Sequence, residues 1–177
     1  MENQRLPFCS TRSTQDGEEM RKTRTLRGQI KATGGKGEKQ LILNDQLINR
    51  GLKVTGFFVW PSVMDVNADE TFNAILSYAP LANASVTMDA GDNTQIGWSF
   101  YSQTLAGAGT SAKTNSGFFN QLIDPDHIIN RDLVISLRET TDELTLNYMV
   151  VCELMTLTDD QAIITIIKEN SQAIQPV

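Results

Sequence analysis

The sequence predicts an all-β protein: one β-sandwich with an extended N-terminal arm and a short C-terminal helix. Three observations carry that prediction. Apolar residues recur mostly at a spacing of two, the period of a half-buried strand. The alternating runs are rich in β-branched and aromatic residues, and Gly, Pro, Asn and Asp punctuate them. A chain of 177 residues, 40% hydrophobic and 20% charged, is long enough for one domain with its own core.

Residues 1–22 have almost no apolar content and read as disordered without a partner. Residues 1–40 carry nine basic and five acidic side chains, whereas 41–177 carry six and sixteen, which together make the net charge of −6. That asymmetry divides the chain into a basic, flexible arm (1–40) and a sandwich domain (41–177). Arg5, Arg12, Arg21, Lys22, Arg24 and Arg27 are the arm residues that would touch a negative partner, either nucleic acid or the acidic body of a neighbouring copy, and the alternative is a solvated flexible tail. The acids interspersed among them favour the neighbouring copy over direct genome binding.

Within the arm, "TLRGQIKAT" already alternates, with Leu26, Gly28, Ile30 and Ala32 set against Arg27, Gln29 and Lys31. "GGKG" then breaks the chain before "KQLIL"; it lacks phosphate-loop spacing, and no helical pattern follows it. "LKVTGFFVW" (52–60) is a strand stopped by Pro61, and "TFNAILSYA" (71–79) is one closed by Pro80. "QIGWSFY" (95–101) places Ile96, Trp98 and Phe100 on one face. "TLAGAGTSAKTNSG" (104–117) is small, polar and Gly-rich, the composition of a long surface loop. "DLVISLR" (132–138) and "LTLNYMVVCEL" (144–154) read as a hairpin across "ETTDE", for seven or eight strands in all. Thr158-Asp159-Asp160-Gln161 has capping-box spacing and opens a helix over about 159–171. Its stripe of Ile163, Ile166 and Ile167, with Ile164 beside it, should dock on the sandwich or on a neighbouring subunit.

Several constellations invite a chemical reading. Asp124, Asp126, His127 and Asp132 surround the only histidine. Catalysis there would need a nucleophile beside an oriented base, and no G-x-S-x-G elbow or reactive-cysteine setting occurs in the sequence. A transition-metal site would ordinarily use more than one histidine. Pro125 and the aspartates instead suit a turn that feeds Ile128 and Ile129 back into the core. Asp89, Asp92 and Asn93 in "MDAGDN" lack the order of a calcium loop, and Glu139, Asp142 and Glu143 fit an exposed turn. Trp60, Trp98, Tyr78, Tyr101 and Tyr148 lie beside aliphatic residues and are expected in the core.

Cys9 and Cys152 occupy unlike surroundings, so a structural disulfide is not expected and synthesis in a reducing cytoplasm fits best. The N-terminus has no apolar signal region, and no run is long enough to span a bilayer. No residue is assigned a catalytic, cofactor or metal role, and the chain reads as a non-enzyme.

"LIDPDHIINRDLVISL" and "LNYMVVCELMTLTDDQAI", together with "TGFFVWPS" and "IGWSFYS", resemble segments of small capsid-associated proteins of tailless aquatic bacteriophages. The resemblance spans about 40–177 and has no catalytic motif. It implies a jelly-roll sandwich that serves in the virion as a penton, minor capsid or spike-base subunit. The implied partners are copies of the chain, in a pentamer, and a major capsid protein, with no small-molecule substrate. Two binding functions stand beside it: a carbohydrate-binding sandwich for host attachment and a nucleic-acid-binding protein acting through the arm.

Overall fold

The computed structural model describes residues 22–43, 47, 49–63, 70–81, 87–105, 113–115, 122–139 and 144–172. Ten strands and one helix follow in order: β1 (Lys22–Lys31), β2 (Lys36–Leu41), β3 (Arg50–Pro61), β4 (Glu70–Ser77), β5 (Gln95–Leu105), β6 (Lys113–Asn115), β7 (Leu122–Ile123), β8 (Ile128–Ile129), β9 (Leu133–Glu139), β10 (Thr145–Thr156) and α1 (Asp159–Gln172). They form two antiparallel sheets, consistent with an all-β sandwich. One sheet has the order β1-β10-β3-β8, and the other β2-β9-β4-β5-β6, with β7 added beside β5. Among the described residues no helix is long and apolar enough to cross a membrane.

The core follows from alternation. β10 turns Leu146, Tyr148, Val150 and Cys152 inward, and β3 contributes Leu52, Val54, Phe57 and Val59. From the other sheet come Phe72, Ala74 and Leu76 of β4, and Leu133, Ile135 and Leu137 of β9. Phe57 crosses the gap between the sheets: a Cβ built on Gly97 of β5 would lie 3.3 Å from its ring. Removing a buried phenyl group of this kind typically costs about 3–5 kcal/mol.

Four expectations are corrected. The first is the domain boundary at 40. Residues 22–31 and 36–41 are β1 and β2, so at least residues 22–40 belong to the sandwich rather than to a flexible arm. Net charge drew that boundary, but charge on one face of a strand does not prevent pairing through its backbone. The second is the hairpin of 132–138 with 144–154. β9 lies between β2 and β4, whereas β10 lies between β1 and β3 in the other sheet. A short polar connection looks the same in sequence whether it folds a strand back or carries the chain across the sandwich.

The third correction lies in the long loop: Lys113–Asn115 forms β6 and pairs with Gln103–Leu105. The fourth lies in β5, where Gln95 pairs with Ser77 and Gly97 with Leu76. Ile96 is thus a bulge residue, which separates it from Trp98: Ile96 joins the core cluster and Trp98 does not.

Gly34 and Gly35 take positive φ values of 61° and 76°, the left-handed conformation of the tight turn that leads β1 out of one sheet and β2 into the other. Gly28 serves a different purpose. Tyr148, its partner on β10, lies over it, so that an added Cβ would sit 2.6 Å from the phenol oxygen. Because Tyr148 is only 6% exposed, it has little room to move. Gly28→Ala should therefore lower stability by about 1–3 kcal/mol, measured as a shift of the urea midpoint at unchanged slope.

Candidate functional site

The segment around the histidine forms a corner of the sandwich, in which Asp124 and Asp132 accept hydrogen bonds that shape the backbone. Asp124 accepts from the Asp126 backbone N–H at 3.0 Å, which closes a turn around Pro125. Asp132 accepts from the Leu43 N–H at 2.9 Å and from the Gln40 amide at 3.3 Å, which ties the exit of β2 to the entry of β9. His127 lies 3.6 Å from Asp124 and stacks on Tyr78 with ring centroids 5.4 Å apart. Burial pulls its imidazole below the ordinary 6.5, and Asp124 and Glu169 pull the other way. Burial and the nearby Glu169 both raise the Tyr78 hydroxyl.

The residue that organises this corner was not foreseen. Glu169, 1% exposed on α1, accepts from the Asn130 N–H at 2.9 Å and pairs with the Arg131 guanidinium at 2.9 Å. The other end of the helix is also fastened: Asn49 donates to Asp159 at 3.0 Å, and its carbonyl accepts from the Leu157 N–H at 2.8 Å. The capping box forms as read, with Thr158 N–H donating to Gln161 at 3.1 Å and Gln161 N–H donating to the Thr158 hydroxyl at 3.4 Å. Nothing in the hydrophobic spacing of the helix marked Glu169 in the sequence. Ala162 and Glu169 face inward, whereas Ile163, Ile164 and Ile167 are 55%, 53% and 60% exposed. Three residues of the predicted docking stripe therefore point away from the sandwich, while Ile166 is half-buried on the side of Ala162 and Glu169.

The other candidate residues disperse. Asp89 and Asp92 accept from turn groups, Gly91 N–H at 2.8 Å and Thr94 N–H at 2.9 Å, and Gln95 knits the loop to the Trp98 indole at 2.7 Å. Among the described residues, no group of three or more His, Cys, Asp or Glu is placed to hold a metal ion. Glu139 departs from its expected exposed turn. It continues the inward row of Leu133, Ile135 and Leu137 and is buried, while Asp142 and Glu143 lie outside the described residues. Cys152 is buried with a free thiol, and burial pushes its pKa up to about 11, so it stays protonated and unreactive near neutral pH.

Of the five aromatic residues expected in the core, Tyr78, Tyr101 and Tyr148 are there. Trp60 is not. It is 39% exposed on the outer face of the β1-β10-β3-β8 sheet, in a row with Asn147 and Gln29 across three strands. Alternation sets it opposite Val59, and Val59 holds the inward place. Of the arm residues, Arg5, Arg12 and Arg21 lie outside the described residues, and Lys22 begins β1. Arg24 and Arg27 are exposed on opposite faces of β1, because residues three apart on a strand diverge. They do not form one contact surface.

No protein-family model matches the chain, and no curated protein matches its sequence.

Two outcomes follow from the corner. Glu169→Ala should cost about 1–3 kcal/mol in urea denaturation, because it removes the acceptor of the part-buried Asn130 N–H and the partner of Arg131, and Glu169→Gln should recover part of that loss. Because folding lowers the pKa of His127, the unfolded chain binds the proton more tightly. The stability contributed by the neutral ring is complete above pH 6.5 and declines as pH falls from 6.5 towards the lowered folded value. His127→Phe, which keeps a ring against Tyr78, should flatten that decline in a series of thermal melts.

Proposed function

We propose that this chain is a structural subunit of a virus particle, a penton or minor capsid protein, and that its sandwich is a jelly roll. The strand order carries the reading: β1-β10-β3-β8 in one sheet against β2-β9-β4-β5 in the other. Among these eight strands the chain changes sheet at each connection except the one from β4 to β5. That order is expected of two interlocked Greek keys, an architecture used by viral capsid and lectin domains. The resemblance of residues 40–177 to capsid-associated phage proteins favours the capsid over the lectin.

In this reading the chain acts by contact with copies of itself, in a ring of five at a vertex, and with a major capsid protein. β1 is the outermost strand of its sheet, and the segment that holds Arg5, Arg12 and Arg21 leads directly into it. A segment from a neighbour would add to that edge through main-chain hydrogen bonds, with polar side chains fixing the register. Any contact with the genome falls to Arg5, Arg12 and Arg21, since Arg24 and Arg27 diverge across β1. The chain should band with nucleic-acid-containing particles in a density gradient, at a fixed copy number per particle. Recovery only in the soluble fraction of the lysate would overturn the assignment.

The exposure of Trp60 favours a second reading, host attachment through carbohydrate. The Trp60 indole stands in one row with the amides of Asn147 and, one strand beyond, Gln29, so a stacking face lies beside hydrogen-bonding groups. A glycan array on which the wild type binds and Trp60→Ala does not would support it; an array with no hits for the wild type would remove it.

A further inference from the structure

We infer that the outward face of α1 is a self-association surface, on which α1 of a second copy packs antiparallel about a two-fold axis. The inference does not rest on the virion reading, because it needs only the helix and its setting.

Ile163, Ile164 and Ile167 are more than half exposed, and their spacing of three and four places them on one side of the helix. Three contiguous β-branched side chains turned to water are unlike the single apolar residues scattered over ordinary surfaces. The contacts of Asn49 at one end and Glu169 at the other hold the helix in this orientation. Isoleucine has few rotamers to lose in a helix, so packing the face costs little side-chain entropy.

Charge identifies the occupant as a second copy and fixes its direction. Asp160 stands four residues before Ile164, and Lys168 four residues after it. A two-fold axis at Ile164 sets each Asp160 against the partner copy's Lys168, giving two opposite-charge pairs that flank the isoleucines. A parallel pair would set Asp160 against Asp160 and Lys168 against Lys168. A membrane surface fits poorly, because the acidic first turn of Asp159 and Asp160 would meet anionic headgroups without the basic polar face of an interfacial helix. A self-complementary patch of this kind closes on itself and makes a finite assembly.

The test is the mass of the full chain in low-salt solution, by light scattering across a concentration series. The wild type should have twice the mass of an Ile163→Asp/Ile167→Asp variant, with thermal unfolding confirming that the variant is folded. Asp160→Lys and Lys168→Asp should each shift the wild-type equilibrium towards the smaller unit, and combining the two should restore it. Equal masses for the wild type and the isoleucine variant would overturn the inference. So would a combined swap no stronger than either single change, because a different partner protein or a different geometry on this face would not respond to the exchange.

Discussion

The apolar layer between the two sheets is the constraint on which the rest of the structure depends. Apart from the β4–β5–β6 run, strands adjacent in sequence do not pair with each other. β9 joins β2 and β4, and β10 joins β1 and β3, so each ladder depends on segments far apart in the chain. The two sheets hold together because Phe57, Val59, Leu146 and Val150 of one meet Phe72, Leu76, Ile135 and Leu137 of the other. Burial of that layer offsets the entropy of closing so many long loops. Residues such as Gly28 and Gly97 are small because a large ring from elsewhere occupies the space beside them.

The sequence revealed strand periodicity much better than strand partnership. Alternation in "LKVTGFFVW" and "LTLNYMVVCEL" located β3 and β10, and a four-residue capping box located the start of α1. Sheet membership was not legible at β9 and β10, because a local turn signal says nothing about which distant strand waits on either side. The domain boundary failed for a related reason: the arginines of residues 22–31 carry charge, but pairing with β10 depends on backbone groups that every residue shares. The bulge at Ile96 was equally hidden, since one inserted residue leaves composition unchanged while reversing the side chains beyond it.

The histidine corner and the helix form one construction. A run of aspartates that resembles a ligand set closes turns: Asp124 shapes the approach to β8, and Asp132 joins β2 to β9. Glu169 then fastens α1 to the backbone between them. With a carboxylate on the inward side of the helix, Ile163, Ile164 and Ile167 are left outside. Hydrophobicity alone predicted the opposite orientation. The polar residue sets the direction because a buried carboxylate needs donors, and the corner offers both an N–H and a guanidinium.

The pairing of β1 with β10 affects how the protein can be made. The first and last strands of the described sandwich are neighbours, matched along all ten residues from Lys22 to Lys31. During synthesis on a ribosome, β1 emerges well before β10, so its ladder waits until residues 145–154 have been made. β3 waits for the same strand, since β10 also supplies its long ladder. That sheet can assemble only once β10 has been made, and until then the nascent chain presents two long strands with open edges. Folding of this sheet is therefore held back until β10 emerges, an interval in which a nascent-chain chaperone would have most to protect.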